Sequence, residues 1–357
     1  MRLEELVGQR LMFGLPGPRL RSEDVQLFRD THAGGLILYR RNFDSADGLV
    51  RLVAGLEEAL ERRLLVATDH EGGRVIMFRD AVTIFPDNLA VATGEPHFAR
   101  RQGQSEAREL RRLGIDLNLA PVVDVLTDAY SPNIGTRSYG KDPALVGRFG
   151  AARIGGMQGS GLSACAKHFP GKGHSPLDAH LRLPTIPSSW GEMRQVHLVP
   201  FVAAIEAGVH AIMTSHPLYP NLDPTPRTPA TFSRRIVGEY LRGELGFTGV
   251  IVSDDLEMGA IGEISGIGEA AVKAASAGHD LLLVCHTERA QREAWGALLE
   301  AYQANQLPWS ELEASVERIQ QLKARRRLRF EGGPPEAERD GPPLAKAMAT
   351  WALTRLT

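Results

Sequence analysis

The stretch 161–180 reads GLSACAKHFPGKGHSPLDAH and joins an apolar run to a polar, glycine-rich loop. Residues 161–166 are small and apolar, as in a buried strand, whereas Gly171, Gly173 and Pro176 prevent regular structure beyond it. Lysine, histidine and aspartate side chains, all able to exchange protons, follow the apolar run directly. The sequence therefore predicts a buried strand that ends in a functional site.

Asp178 and His180 are two residues apart in this loop. In an extended or turning backbone, a carboxylate at that spacing can orient the imidazole and stabilise its charge, as general acid/base catalysis requires. The alternative is a surface loop with incidental polar residues. The preceding strand and the glycines favour the catalytic interpretation, because functional loops often follow strand ends.

Eight apolar runs of strand length are spread along the chain. Stretches with helical spacing, such as 98–113 and 268–277, lie between most of them. This alternation predicts an α/β fold, a single (β/α)8 TIM-type barrel, with a doubly wound sheet as the alternative. The strand candidates are 10–14, 35–39, 64–68, 117–123, 163–169, 211–214, 249–253 and 280–285.

The connections predict where the barrel domain ends. A helix over 190–207 follows the loop after the fifth strand, and Ser310-x-x-Glu313 predicts a capping box for a helix to about Arg329. Residues 331–343 are rich in Gly, Pro and charge, as in a linker. Leu344, Met348 and Trp351 then share one helical face. We expect a catalytic domain over 1–330 and, over 331–357, a linker and a short docked helix.

Composition excludes several functional classes. The 357 residues are 43% hydrophobic and 24% charged, with a net charge of −2, so neither nucleic acid nor an anionic membrane is an expected partner. The acidic N-terminus is unlike a secretory signal, and no apolar run is long enough to span a membrane. Cys165 and Cys285 are expected to be buried free thiols in the cytoplasm, because a zinc site needs more ligands at closer spacing.

In a barrel, catalytic residues collect at the carboxyl ends of the strands. Asp69 and Glu71 follow the third candidate strand, Asp124 the fourth, and His216 the sixth. Asp254 directly follows the seventh and is expected to face the barrel axis, with Asp255 turned away by strand alternation. The sequence therefore predicts one pocket at this rim, and Asp254 is the strongest candidate for a catalytic residue in it.

Several separated motifs, taken together and in order, resemble glycoside hydrolase family 3 and, within it, the cytoplasmic β-N-acetylglucosaminidases of peptidoglycan recycling. The resemblance covers roughly residues 5–330. The Asp-x-His loop separates this subgroup from the family's β-glucosidases, which take their acid/base carboxylate from an additional domain. The motifs are GGLILY at 34–39, Asp69-x-Glu71-Gly72-Gly73-Arg74, NLAPVVDV at 118–125, RSYG at 137–140, KHFPG at 167–171 with Asp178-x-His180, and SDDL at 253–256.

The resemblance implies a retaining mechanism without metal or cofactor. Asp254 would form a covalent glycosyl ester, and His180, supported by Asp178, would act as acid and then as base. It also implies a carbohydrate substrate, an N-acetylglucosaminide from muropeptides, and favours a monomer. The residues it implies for binding the sugar are Asp69, Arg137, Lys167 and His168.

Three positions depart from the family pattern, and other functions stay open. Ala179 stands where the family often has Ser, and Lys172 stands where His is common. Met77 lies near a position where several relatives have Arg. The alternatives are a family 3 glycosidase for another sugar, such as a β-glucosidase, a glycosyl phosphorylase, and a catalytically silent sugar-binding relative. A metal-dependent hydrolase would use Asp69, His70, His180 and His216, although no tight ligand pair is present.

Overall fold

The structure is a computed structural model that describes residues 1–127, 131, 133–175, 183–325 and 341–356. Eight parallel strands in this part of the chain form one sheet in the order β7-β6-β5-β4-β3-β2-β1-β8. A parallel bridge between Val252 and Leu281 joins the two ends of that order. The predicted (β/α)8 barrel is thereby confirmed. The strands are β1 (Leu11–Gly14), β2 (Gly35–Leu38), β3 (Leu65–Thr68), β4 (Leu117–Asn118), β5 (Ser163–Phe169), β6 (Ala211–Thr214), β7 (Val250–Val252) and β8 (Leu282–Val284).

Helices connect the strands and cover the outside of the barrel. None of the helices within the described ranges is long and apolar enough to cross a membrane. The α-helices are α1 (Leu3–Gln9), α2 (Ser22–Thr31), α3 (Ala46–Leu60), α4 (Asn88–Val91), α5 (Pro96–Arg112), α6 (Pro143–Gly159), α7 (Trp190–Glu192), α8 (Val199–Glu206), α9 (Gly259–Gly262), α10 (Ile267–Ala277), α11 (Glu288–Gln303), α12 (Trp309–Ala324) and α13 (Gly341–Leu356).

Two apolar layers stabilise the barrel. One lies between the strands and the surrounding helices, and the other fills the barrel interior with side chains such as Met12, Leu117 and Met213. Ile319 and Leu322 of α12 belong to the interior cluster. Since α12 also contacts β7, this helix packs against the barrel near the strands' amino ends, and the carboxyl ends are left for the site.

Two elements depart from the predicted bounds because of proline. The strand expected over 117–123 is regular only over Leu117–Asn118, since Pro121 has no N–H to donate to a neighbouring strand. The helix expected over 190–207 is divided into α7, a π-helical segment at Met193–His197, and α8. Pro200 cannot donate to the carbonyl four residues before it, which accounts for the break.

The predictions for the C-terminal region are partly wrong. The helix α12 begins at Trp309 with Pro308 as its N-cap, so Ser310 lies in the first turn and forms no capping box, and it ends at Ala324. Most of the predicted linker lies outside the described residues. Residues 341–343, assigned to that linker, instead form the first turn of α13, where proline is tolerated. Leu344 and Met348 of α13 are buried, whereas Trp351, predicted on the same helical face, is 38% exposed.

Candidate active site

The carboxyl ends of β3, β4, β5 and β7 bring charged side chains into one pocket, as expected for parallel strands in a closed barrel. Glu71, after β3, pairs with two cations. It accepts two hydrogen bonds from the Arg137 guanidinium, at 2.7 and 2.8 Å, and lies 2.6 Å from Lys167 Nζ. Lys167 Nζ also donates to Asp69 at 2.5 Å. Two cations and two carboxylates therefore form one continuous network.

Burial and pairing set the protonation states in this network. The side chains of Glu71, Lys167 and Arg137 are only 3%, 2% and 11% exposed. Burial alone would raise the pKa of Glu71, but Arg137 and Lys167 hold it well below the ordinary value. Burial alone would lower the pKa of Lys167, but Asp69 and Glu71 raise it above the ordinary value. All three groups are therefore charged at neutral pH.

His168, at the end of β5, is held by the buried carboxylate of Asp124. The Oδ2 atom of Asp124 lies 2.7 Å from His168 Nδ1 and also accepts from the His168 amide at 3.2 Å. With Nδ1 protonated toward the carboxylate, Nε2 faces the network, 3.4 Å from an Arg137 nitrogen. Asp124 thus fixes both the tautomer and the orientation of the imidazole.

Asp254 and Asp255 follow β7 and have different surroundings. Asp254 keeps 18% of its side chain exposed, and its Oδ1 accepts from the Asp255 amide at 3.0 Å. The Asp255 carboxylate instead accepts from the amides of Glu257 and Cys285 at 3.2 Å each and pairs with His286 at 3.0 Å. The Asp255 carboxylate therefore binds neighbouring groups at the barrel rim, whereas the Asp254 carboxylate is accessible from the pocket.

Lys172 reaches Asp254 from the loop after β5. Its Nζ lies 3.7 Å from Asp254 Oδ2, and its amide donates to Asp124 Oδ1 at 2.7 Å. Close packing fixes the backbone at Gly173, since a Cβ on that residue would lie 1.8 Å from the Val125 carbonyl oxygen. Burial alone would raise the pKa of Asp254, but Lys172, together with other cations, lowers it below the ordinary value.

Of the three histidines in the metal alternative, His180 lies outside the described residues, and His70 and His216 are both buried. His216 is buried with a lowered pKa, and its Nε2–H donates to the Asp255 carbonyl at 2.9 Å. Its Nδ1 lies 2.7 Å from the Thr231 hydroxyl, so both ring nitrogens have protein partners. Burial lowers the pKa of His70 to about 3, so this imidazole is neutral at neutral pH. In the ranges that the structure describes, no three His, Cys, Asp or Glu side chains are placed to hold a metal ion.

The structure brings five of the predicted site residues into this pocket: Asp69, Arg137, Lys167, His168 and Asp254. Asp178 and His180 lie outside the described residues. The sequence prediction did not assign roles to Glu71 and Lys172. Its place directly after the third strand was a signal that could have found Glu71, because catalytic residues collect at the carboxyl ends of barrel strands.

Comparisons of the sequence and of the structure with known proteins agree on one family. Residues 2–322 match the family model described as the glycosyl hydrolase family 3 N-terminal domain. A beta-hexosaminidase of Stenotrophomonas maltophilia is 37% identical over 285 residues, which is 78% of this chain and 84% of that protein. A family 3 beta-N-acetylglucosaminidase structure from Paenibacillus is 36% identical with a TM-score of 0.94, over 99% of this chain and 69% of that one.

A second solved structure is similar over nearly all of both chains. NagZ from Neisseria gonorrhoeae, in complex with N-trifluoroacetyl-D-glucosamine, is 31% identical with a TM-score of 0.76. The match covers 96% of this chain and 98% of that one.

Proposed function

The chain belongs to glycoside hydrolase family 3, and we propose that it removes terminal β-linked N-acetylglucosamine from its substrates with retention of anomeric configuration. The observation that carries the proposal is the Asp254 carboxylate, accessible at the end of β7 beside the buried network that includes Asp69 and Lys167. The beta-hexosaminidase and N-acetylglucosaminidase names of the relatives support the choice of sugar.

In the first step, an Asp254 carboxylate oxygen attacks the anomeric carbon. The bond to the leaving oxygen breaks, and its electron pair stays on that oxygen, which takes up a proton. In the second step, water attacks the same carbon, loses a proton, and returns the electron pair of the ester bond to Asp254. Two inversions give net retention. The lowered pKa of Asp254 supports this role, because the attacking carboxylate must be ionised.

We assign the proton transfers to His180, oriented and charge-stabilised by Asp178. These residues lie outside the described part of the chain, so the assignment rests on the Asp-x-His motif and the family resemblance. A histidine near its ordinary pKa can donate a proton to the leaving oxygen and then accept one from water.

Asp69, Lys167, His168 and Arg137 are the proposed sugar-binding residues. Asp69 retains 20% of its side chain exposed and can accept hydrogen bonds from hydroxyl groups, while Lys167 and Arg137 carry donors. Glu71 holds both cations in fixed positions. Such a preformed array can orient a pyranose without rearrangement at the moment of reaction.

We further propose that the natural substrates are muropeptides derived from peptidoglycan, processed in the cytoplasm by a monomeric protein. The resemblance to the peptidoglycan-recycling subgroup supports this source. The family 3 domain over 1–330 would carry the whole catalytic machinery.

A panel of chromogenic β-glycosides, tested with and without phosphate, separates the candidate functions. We expect N-acetylglucosaminides to be turned over much faster than glucosides, with free sugar as the product in both buffers. Preference for glucosides would support a β-glucosidase, and a sugar phosphate product would support a phosphorylase. No turnover of any glycoside would indicate a silent relative, and loss of activity on exhaustive chelation would indicate a metal enzyme.

The His180 assignment has its own test. His180→Ala should lose far more activity on substrates with poor leaving groups than on activated aryl glycosides, whose departing phenolate needs little protonation. General acid catalysis contributes about 10²–10⁴-fold, so the two substrate classes should separate clearly. Equal losses on both classes would show that His180 only shapes the pocket.

A further inference from the structure

Lys172 is a buried cation beside the proposed nucleophile. Only 3% of its side chain is exposed, and its Nζ lies 3.7 Å from Asp254 Oδ2. Its backbone is fixed on both sides, since the amide donates to Asp124 at 2.7 Å and the carbonyl accepts from the Ser175 amide at 3.0 Å. The cation therefore reaches Asp254 from a loop segment tied to the end of β4.

The separation of the two groups is suited to catalysis. At 3.7 Å the ammonium attracts the carboxylate electrostatically but lies beyond ordinary hydrogen-bond distance. The other oxygen of Asp254 accepts from the amide of Asp255. Lys172 can therefore stabilise the negative charge of Asp254 without occupying the lone pair that attacks the sugar.

Other charged groups face this pair from neighbouring elements. Lys172 is nevertheless the main cation that acts on Asp254. Lys167 at β5 is already paired with Asp69 and Glu71, and His216 after β6 has a lowered pKa. Burial lowers the pKa of Lys172 more than Asp254 raises it. The groups that act electrostatically on Asp254 or Lys172 are Asp69, Asp124, Arg137, Lys167 and His216.

We propose that Lys172 is the counter-ion of the nucleophile, which keeps Asp254 ionised in the free enzyme and makes it a better leaving group when water cleaves the glycosyl ester. The inference rests on the proposed function. Lys172 transfers no proton and forms no bond. Lys172 affects the rates electrostatically, because the negative charge of Asp254 is lost when the ester forms and returns when the ester breaks.

Two effects follow from removing this cation. The pKa of Asp254 in the free enzyme should rise, because an opposite charge within 4–6 Å typically lowers a carboxyl pKa by about 1–3. The second step should slow relative to the first, because the returning charge is no longer stabilised. The glycosyl-enzyme should then accumulate during turnover of activated substrates, for which the first step is fast.

The test compares Lys172→Met, Lys172→Gln and Lys172→Arg with the unchanged protein on an activated aryl N-acetylglucosaminide. For the Met and Gln variants we expect the acid limb of the kcat/KM profile to move up by about 1 pH unit or more. Intact-protein mass spectra during turnover should show a larger glycosylated fraction. Lys172→Arg keeps the positive charge and should therefore keep the acid limb of the unchanged protein.

Lys323→Met is a matched control. It removes another lysine, the partly buried Lys323 on α12, which donates to Gln9 at 2.7 Å. This variant should leave the acid limb and the glycosylated fraction unchanged. Thermal unfolding of each variant verifies the fold, and the Gln variant keeps the test valid if the Met variant does not fold.

The outcomes separate two failures. An unchanged acid limb in active, folded Met or Gln variants would overturn the role of Lys172 while leaving the proposed function intact. An absence of glycoside turnover by the unchanged protein would overturn the proposed function itself.

Discussion

Glu71→Gln tests whether the buried network organises the pocket. The substitution keeps the shape of the side chain but removes the charge that balances Arg137 and Lys167, which are 11% and 2% exposed. Removing one partner of a buried ion pair typically costs about 3–5 kcal/mol. An unfolding entropy of about 2.1 cal/mol/K per residue, over 357 residues, converts that loss into a fall in Tm of about 4–7 °C.

The same change should also weaken catalysis. In Glu71→Gln one acceptor oxygen remains, so Arg137 loses one of its two hydrogen bonds of 2.7 and 2.8 Å, and Asp69 is the one charged partner left to Lys167 in the network. A displacement of about 1 Å in substrate-positioning groups can lower the rate about 10²-fold. We therefore expect kcat/KM for an N-acetylglucosaminide to fall by about 10–10²-fold, measured beside thermal unfolding.

Asp280→Asn is the matched control at the opposite end of the barrel. Asp280 precedes β8 and is 1% exposed, and it pairs with Arg242 at 2.6 Å and Arg318 at 2.9 Å. Its substitution should lower the Tm while leaving kcat/KM unchanged. The reasoning is refuted if Glu71→Gln keeps its full stability, or if both variants lose kcat/KM to the same extent.

Two further predictions concern stability and the loop. Burial lowers the pKa of His279 to about 3, against 6.5 ordinarily, so its contribution to stability is complete above about pH 6.5 and is lost as the pH falls toward 3. Urea unfolding should show that His279→Gln removes about 2 kcal/mol of the stability loss between pH 8 and pH 5, and parallel curves for the two proteins would contradict this. Gly173→Ala places a Cβ 1.8 Å from the Val125 carbonyl oxygen and should lower both Tm and kcat/KM. Gly17→Ala, with no atom within 4 Å, should change neither, and equal behaviour of the two alanine variants would show that the loop tolerates displacement.

The barrel could be predicted from sequence because its signals are local. Each strand is a short apolar run, and charged residues such as Asp69 and Asp254 follow those runs directly. Two of the errors occurred where a single proline interrupted a regular pattern. Pro121 shortened β4 and Pro200 divided the helix over 190–207, because neither can donate a backbone hydrogen bond.

The pairings inside the pocket could be predicted only in part. The place of Glu71 at the pocket rim follows from its position directly after the third strand, but its two cations come from β5 and from a loop after β4. The contact between Lys172 and Asp254 depends on how one loop turns across the barrel rim. Local periodicity contains no information on such long-range distances, so that contact required the structure.

The most direct test of the account is to trap the covalent intermediate with a slow 2-fluoro glycoside and to map the labelled peptide. The account predicts one glycosyl unit on Asp254, with no labelling in a folded Asp254→Asn variant that is also inactive. A label on Asp255 or Glu257, or full turnover by Asp254→Asn, would contradict it.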